Sequence, residues 1–569
     1  MHWQSSPSRR RVTIVAAVSL MLGILGLSLW RAIARAWLSD DGFISFRYAE
    51  HLVAGHGLVY NTGEYVEGYT NLLWTLLLAA AMALGVPPET ASKALGIVGW
   101  LALAAVLARR AWRPSAPRPF VPLAAALVLL MEDYQTWATG GLETSLFTLL
   151  SVGGLLLATR AGAGTGGRVV AGVVLAAAVA TRPDGVIFAA VGVLGAWWVD
   201  ADGSPRRRLT LAAAVALPLA LAGMGLVAFK LRYYGDLFPT AFYSKSALDP
   251  YLGQGWFYVY LFFKKSWFLA PLALLLVAGH LAARRERPLL TRPHVVLLVA
   301  GGLFLAYVAH SGGDFMFARR VLPAMPLFFV VLEDLLVAMP GRLLPAAAVA
   351  LAAVGVAVPY PLYADPGERL RGIANEPAFY PPELIEARRV QGLIAAQVLA
   401  GLPVRAAFEG GMCVFGYYSR LPYLAEITGL TQYSLAKAPL AARGHVGHEK
   451  RAGDAWLTRN RIHFVFSQLP PPVSRGGPLR VDEIAFGDLL KARIWIYDDA
   501  IMDRLRTVSG VTFAPIETAL REAERHIAAA PHAEAQRIYA VLERYYFHGA
   551  GPAKRPLAEA LLRQVEARR

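Results

Sequence analysis

Apolar runs of roughly 15 to 22 residues recur from Val12 to about Leu362, each close to the length that crosses a ~30 Å hydrocarbon core. A soluble fold does not bury so many such runs in succession, so a bilayer is the main solvent of this part of the chain. The bulk numbers agree: of 569 residues, 56% are hydrophobic and only 17% charged. After Ala364 the character changes, and charge, proline and short apolar stretches mix through to Arg569. The expected organisation is an all-α polytopic membrane bundle over residues 1–363 and a soluble domain over 364–569. In the second part, helical stretches such as Ile516 to Ala529 and Ala533 to Tyr546 alternate with apolar runs such as His463 to Phe466 and Ile494 to Tyr497. That alternation predicts an α/β or α+β unit.

Charge placement sorts the loops. The net charge of +16 gathers in short loops between apolar runs rather than on one amphipathic face, which argues for membrane topology and against a nucleic-acid partner. Lys and Arg favour the cytoplasmic side. The rule puts Arg9 to Arg11, Arg109 to Arg118, Arg160 to Arg168, Arg206 to Arg208, Arg284 to Arg292 and Gly341-Arg342 inside. Asp40 to Thr70, Glu132 to Glu143, Thr181 to Gly185, Tyr233 to Lys245, His310 to Arg320 and the chain beyond Ala364 fall outside. Between Thr70 and Arg109 two apolar runs flank Pro87-Pro88, yet the charges require an odd number of crossings, so one run stops short or lies in the interface. Counting that region once gives about eleven spans. Ala34-Arg35-Ala36 imitates a signal-peptidase site, but the run before it is too long for a signal core and further spans follow, so an uncleaved first helix is expected. One cysteine, Cys413, excludes an intramolecular disulfide and a Cys-rich metal site.

Nearly every loop residue capable of chemistry lands on one face. Directly after the first span comes Ser39-Asp40-Asp41-Gly42, then a stretch in which Ile44, Tyr48 and Leu52 recur every four residues. The spacing predicts a short amphipathic helix at the membrane surface. Asp40 or Asp41 would cap it; equally, two carboxylates beside a helix carrying Arg47 and His51 suit general-base work on a sugar hydroxyl. Asp40 and Arg47, seven apart, share a helical side. Downstream, Tyr60, Asn61, Glu64, Glu67 and Tyr69 either grip a polyol or simply order the loop.

The segment DDGFISFRYAEHLVAGHGLVYNTGEYVEGYTN, followed in order by TGGLETSLF, ATRPDG, GDLFPTAFYSK and SGGDFMFARRVLPAMPLF, resembles bacterial integral membrane glycosyltransferases of the GT-C fold. The mycobacterial terminal arabinofuranosyltransferases are the characterised group it is most like. The likeness runs from about Asp40 to Leu327 and continues faintly through GYYSRLPYLAEITGLTQ to Gln432. The resemblance implies a polyprenyl phosphate sugar donor, a glycan or lipid acceptor of the cell envelope, and a catalytic Asp in the first outer loop, here Asp40 or Asp41. It implies no cofactor, leaves a divalent cation open, and places the protein in the cytoplasmic membrane with its active site and C-terminal domain outside. It does not fix the sugar.

An inverting transfer from such a donor needs a base for the acceptor hydroxyl and positive charge where the leaving phosphate forms. Arg47, Arg182, Lys245, Arg319 and Arg320 are the outer-side candidates for the phosphate. Arg182 and Asp184, in Thr181-Arg182-Pro183-Asp184-Gly185, sit between apolar runs where ionisable groups are costly; the alternative is a paired turn. Arg319 and Arg320 could instead snorkel at a span's start. Glu143 either joins the aspartates on acceptor or cation, or caps the helix from Thr144; His310 and Asp314 approach the same site or form a glycine-rich turn. Tyr243 and its neighbours suit substrate or an aromatic belt. No HExxH, CxxC, Walker or GxSxG motif appears. A lipid-linked saccharide transporter, which should show matched interrupted helices in two halves, and a non-catalytic glycolipid-binding assembly protein are the rival readings.

Overall fold

The computed structural model describes residues 7–112, 121–200, 203–246, 249–282, 289–339, 343–467, 483–514, 516–547 and 554–569. Of the expected cytoplasmic anchors, Arg113, Arg118, Arg284, Arg285, Arg287, Gly341 and Arg342 lie outside the described residues, as do the side chains of Arg9 to Arg11.

The apolar part is helical throughout: α1 (Pro7–Ala34), α2 (Gly42–Val53), α3 (Leu72–Ala83), α4 (Pro88–Ala111), α5 (Leu123–Leu130), α6 (Glu132–Thr139), α7 (Thr144–Ala158) and α8 (Thr165–Thr181). It continues with α9 (Val186–Val199), α10 (Pro205–Tyr233), α11 (Thr240–Ser244), α12 (Leu252–Lys265), α13 (Leu269–Ala282), α14 (Arg292–His310), α15 (Met325–Ala338) and α16 (Leu343–Ala357). Among the described residues α1, α4, α10 and α14 are long and apolar enough to cross a membrane alone. The pairs α6–α7, bent by 116°, and α12–α13, bent by 74°, raise the number to six if each is one broken span. Helix length by itself therefore accounts for fewer crossings than the eleven or so that charge counting asks for. The stretch between Thr70 and Arg109 resolves as one short and one long helix. The 12 residues of α3 cover only ~18 Å, whereas α4 runs for 24 residues. Gly85, at φ +81°, turns the chain between them, and Pro88 starts α4 where a missing N–H is harmless.

The last third carries a small hairpin, β1 (Arg369–Leu370) with β2 (Ile373–Ala374), followed by α17 (Glu376–Phe379), α18 (Pro382–Val398) and α19 (Cys413–Tyr418). Strands β3 (Arg405–Phe408), β4 (Tyr423–Glu426), β5 (Phe464–Phe466), β6 (Glu483–Phe486), β7 (Leu490–Ile494) and β8 (Val511–Phe513) form one mixed sheet in the order β4-β3-β5-β7-β6-β8. Its β4-β3-β5 half is parallel and the rest antiparallel. The apolar runs around Phe464 and Ile494 supply β5 and the end of β7, and Ile516–Ala529 is helical. The helix expected to reach Tyr546 instead loosens into a wider turn over Glu543–Phe547.

The packing does not follow the division at residue 364. One core lies among the membrane helices, around Trp100, Phe147, Leu175 and Phe304. A second joins Phe43, Phe46, Tyr48, Tyr60 and Trp74 of the N-terminal part to Phe408, Phe415, Leu424 and Ile494 of the sheet domain. Helix α2, expected to float on a membrane surface, is buried at every position from Gly42 to Ala49. It packs against α3 and also against α19, whose Tyr417 meets the rings of Phe43 and Phe46.

Candidate active site

The two adjacent aspartates have different surroundings. Asp40 is 1% exposed and accepts the backbone N–H groups of Cys413 at 2.9 Å and Val414 at 3.0 Å, closing the open end of α19. Seven residues on and on the same side, Arg47 donates Nε to the Tyr60 carbonyl (2.8 Å), Nη1 to Gly416 (2.7 Å) and Nη2 to Leu421 (2.7 Å). Asp40 and Arg47 thus hold opposite ends of the same short helix. Arg47 is a buried strut between the loop after α2 and the sheet domain, and each guanidinium nitrogen is committed to a carbonyl. Burial raises the Asp40 pKa, and the two N–H bonds pull it back.

Asp41 occupies the N-cap position of α2 without capping it. It is half-buried, and among the described residues its carboxyl makes no hydrogen bond or ion pair. Burial first, and then the neighbouring Asp40 carboxyl, push its pKa up to about 6, against the pull of Lys245 and Arg319. A carboxyl poised near neutrality and free of partners is what a general base requires.

Glu143 lies in the α6–α7 break, delivered by Gly141 at φ +78°. A Cβ on Gly141 would come within 2.9 Å of Leu38. The Glu143 carboxylate is sealed, with 0% side-chain exposure. Oε1 accepts both Arg182 Nη1 and Arg319 Nη2 at 2.9 Å, and Oε2 accepts Asn71 Nδ2 at 2.9 Å. It occupies the N-cap position of α7 without a side-chain cap bond, and it fixes two arginines. Arg182 also grips Asp184 with Nε at 3.0 Å and Nη2 at 2.8 Å. Arg320 donates Nη1 to Ser311 Oγ (2.7 Å) and Gly313 O (2.9 Å), and its Nη2 stands 4.0 Å from Asp184. Asp314 stands 4.0 Å from Arg319 Nη1 and is 3% exposed. Burial of its carboxyl is outweighed by Lys245, Arg319 and Arg320, which hold its pKa low. Ala318, at φ +64°, sits in the left-handed region immediately before these arginines and aims them.

The other expected residues divide. Lys245, just after α11, is half-buried, and among the described residues its ammonium has no hydrogen bond or ion pair while it acts electrostatically on Asp41 and Asp314. His310 ends α14, where its carbonyl accepts the Tyr251 N–H at 2.8 Å. Tyr243 donates its hydroxyl to Asp236 at 2.7 Å and lies under the Lys437 ammonium. Glu67 and Tyr69, expected to grip a polyol, are buried anchors instead: Glu67 pairs with Lys230 at 2.8 Å, and the Tyr69 hydroxyl meets that of Tyr234 at 3.0 Å. Both fasten the loop between α2 and α3 to the end of α10.

Among the described residues one group could hold a metal: the Asp40 and Asp41 carboxylates and the Cys413 thiol, all within 4.8 Å of one another. The donor set suits a hard divalent cation poorly. Such ions take six or more oxygens, both Asp40 oxygens already accept N–H bonds, and burial pushes the Cys413 thiol up, toward its protonated form.

Two acids in the sheet domain escaped sequence reasoning. Glu426, on β4, accepts Thr428 N–H (2.9 Å), Thr428 Oγ (2.6 Å) and Leu430 N–H (3.2 Å) on one oxygen. Its other oxygen is sealed without a partner. Burial raises its pKa to about 7, and Asp41 adds to the rise. Glu376, on α17, is 4% exposed. No motif marks Glu376; Glu426 lies inside the faint GYYSRLPYLAEITGLTQ likeness, which was its only signal.

Fold and site together define a multi-pass integral membrane protein whose carboxylate-and-arginine site is covered by a sheet-containing C-terminal domain. The chain is similar to the terminal β-(1→2)-arabinofuranosyltransferase of Corynebacterium glutamicum, with 32% identity over 375 residues, covering 58% of this chain and 51% of that one. It is also similar to the Mycobacterium tuberculosis protein of the same name, with 29% identity over 357 residues, covering 56% and 54%. The chain thus spans about half the length of the curated relatives it matches. No family model matches. Solved structures with some likeness include ArnT from Cupriavidus metallidurans bound to undecaprenyl phosphate, with TM-score 0.49, 15% identity, and coverage of 72% of this chain and 85% of that one. Another is the oligosaccharyltransferase AglB from Archaeoglobus fulgidus in complex with an inhibitory peptide and a dolichol-phosphate, with TM-score 0.45, 11% identity, and coverage of 78% and 69%.

Proposed function

We propose that this protein is a GT-C membrane glycosyltransferase that moves a sugar from a polyprenyl phosphate donor to a glycan or lipid acceptor of the cell envelope, working on the extracytoplasmic side of the cytoplasmic membrane. The observation that carries the reading is Asp41: a half-buried carboxyl without a partner among the described residues, raised to about 6, in the field of Lys245 and of Arg319, which shares an acid network with Arg182 and Arg320. Asp41 takes the proton from the acceptor hydroxyl as that oxygen bonds to the anomeric carbon. The bond from that carbon to the phosphate oxygen breaks, and the lipid phosphate leaves with the electron pair. Lys245 and Arg320 meet the charge that develops on it, while Arg182 and Arg319 keep the field in place. Direct displacement inverts the anomeric centre. The two relatives' names make arabinofuranose the first sugar to test.

The test is transfer by the purified full-length chain, using a panel of polyprenyl phosphate sugars led by arabinofuranose and a synthetic octyl arabinofuranoside acceptor. Wild type is expected to turn over at least one donor. Asp41→Asn should lose about 10²- to 10⁴-fold, the usual worth of a general base, while remaining folded. An inactive wild type that still binds donor lipid would bring the transport or binding readings forward.

A further inference from the structure

We propose that Glu376 is a second acidic group of the active site, which keeps its proton and donates a hydrogen bond to an oxygen of the acceptor saccharide while Asp41 receives the proton of the attacking hydroxyl. The inference rests on the glycosyltransferase reading above.

The sheet domain delivers Glu376 by a backbone bridge. Ala374 pairs in parallel with Met316; Phe317 N–H donates to the Ala374 carbonyl at 3.1 Å, and Ala374 N–H donates to Phe315 O at 2.8 Å. Glu376 comes two residues after that bridge, and Asp314 and Arg319 lie two residues before and three after its other half. Glu376 is therefore fastened to the wall that carries them. Its side chain is 4% exposed. Among the described residues the carboxyl has no hydrogen bond and no ion pair, and neither oxygen is sealed from solvent.

The groups that face it are mostly of its own sign. The Asp41, Asp314 and Asp40 carboxylates act on it, with Arg369 as the opposing cation, and the hydroxyls of Tyr380 and Tyr363 lie in its field. Arg319 and Arg320, on the wall that the bridge joins, are bonded elsewhere, Arg319 to Glu143 and Arg320 to Ser311 and Gly313. A buried carboxylate without an ion-pair partner is costly, and binding a proton removes the cost. Burial, followed by the three carboxylates, pushes its pKa up to about 9. Asp41 at about 6 and Glu376 at about 9 then stand on opposite sides of neutrality, one ionised and one protonated. Two acids whose environments drive them apart in this way take base and acid-like roles in one site. A neutral carboxyl offers an O–H donor, and a polyol offers oxygens as acceptors.

The closing experiment separates a neutral donor from a base or a metal ligand. Glutamine retains a donor at the same reach and cannot ionise. With the purified full-length protein, Glu376→Gln is expected to transfer within about threefold of wild type, whereas Glu376→Ala should raise the acceptor KM roughly tenfold, the scale of one lost hydrogen bond. A glutamine variant as impaired as the alanine variant would overturn the proposal. Infrared difference spectra at pH 7 give a readout independent of turnover: a protonated-carboxyl C=O component, over that of Glu426, which is lost in Glu376→Gln and shifted by the octyl arabinofuranoside. Identical spectra for wild type and Glu376→Gln would also overturn it. If wild type transfers no sugar, the glycosyltransferase reading fails by itself and the infrared band still decides the state of Glu376.

Discussion

At the end of the helical module away from the sheet domain, Arg110 at the close of α4 lies 3.5 Å from Glu333 and pairs with Asp334, both on α15. His294, near the start of α14, lies 2.9 Å from Asp334, and Glu333 accepts the Ala124 N–H of α5 at 3.1 Å. At the domain end, Glu143, Arg182, Asp184, Arg319 and Arg320 form a network of the same kind. Both clusters bury acids and bases at helix ends, so burial of charge does not distinguish them. The difference is in what is left over. The far cluster pins four helices together, with each of its charged residues paired. The domain-end cluster borders three groups, Asp41, Lys245 and Glu376, that have no hydrogen bond or ion pair among the described residues.

Removing Glu143 should break the contrast most severely. Glu143→Gln leaves two guanidiniums facing each other in a sealed space, and losing one member of a buried pair costs ~3–5 kcal/mol. Thermal unfolding in detergent should register this as a large fall in melting temperature. Glu333→Gln at the far end should cost less than about 1.5 kcal/mol, since Asp334 still holds Arg110 and an amide oxygen can still accept the Ala124 N–H. Equal losses would mean the two networks do the same work.

A smaller difference separates the neighbouring aspartates. Asp40→Ala removes both acceptors from the start of α19 and should cost ~1–2 kcal/mol, as lost helix caps do. Asp41→Asn removes no bond and should stay within about 0.5 kcal/mol of wild type in stability. The same pair can be read through pH. A base with a raised pKa loses its ionised form first on acidification, so transfer should fall as pH drops through about 6, the value for Asp41. Above about 9, where Glu376 ionises, it should fall again. A rate flat between pH 5 and 7 would remove Asp41 as the base.

Which of these distinctions the sequence carries depends on how far apart the partners are. Arg182 stands out because an arginine between apolar runs is costly and needs a reason, and Arg319 and Arg320 because they stand at the start of a span. The strands around Phe464 and Ile494 stand out because their apolar runs are short and bounded by turns. The division of work between Asp40 and Asp41 is invisible locally, because the groups that Asp40 caps lie 373 and 374 residues further on. Arg47 is hidden for the same reason, since two of its three carbonyl partners belong to the sheet domain. The apolar stripe of α2 is correctly periodic, but a stripe shows one buried face and says nothing of a second cover such as α19. Glu376 is one acid among several in a stretch with many charges, and only the Met316–Ala374 bridge reveals what it stands beside.

The mildest prediction concerns Lys245, which tests whether a free group at the domain end acts on donor or merely on its neighbours. Its ammonium makes no bond that folding would miss, so Lys245→Met should leave the melting temperature nearly unchanged. The Arg443 side chain reaches the Lys245 main-chain carbonyl at 3.4 Å and that of Ser246 at 3.1 Å, so the loop keeps its course whatever the side chain. If the ammonium meets the donor phosphate, losing a charge-assisted contact should raise the donor KM about tenfold, leave the acceptor KM unchanged and weaken the dependence on salt. If Lys245 instead tunes Asp41, whose pKa it lowers, the variant should move the acid limb of the pH profile upward and leave the donor KM alone. The two outcomes fall on different axes of the same assay, so one variant separates a phosphate ligand from an electrostatic neighbour of the base.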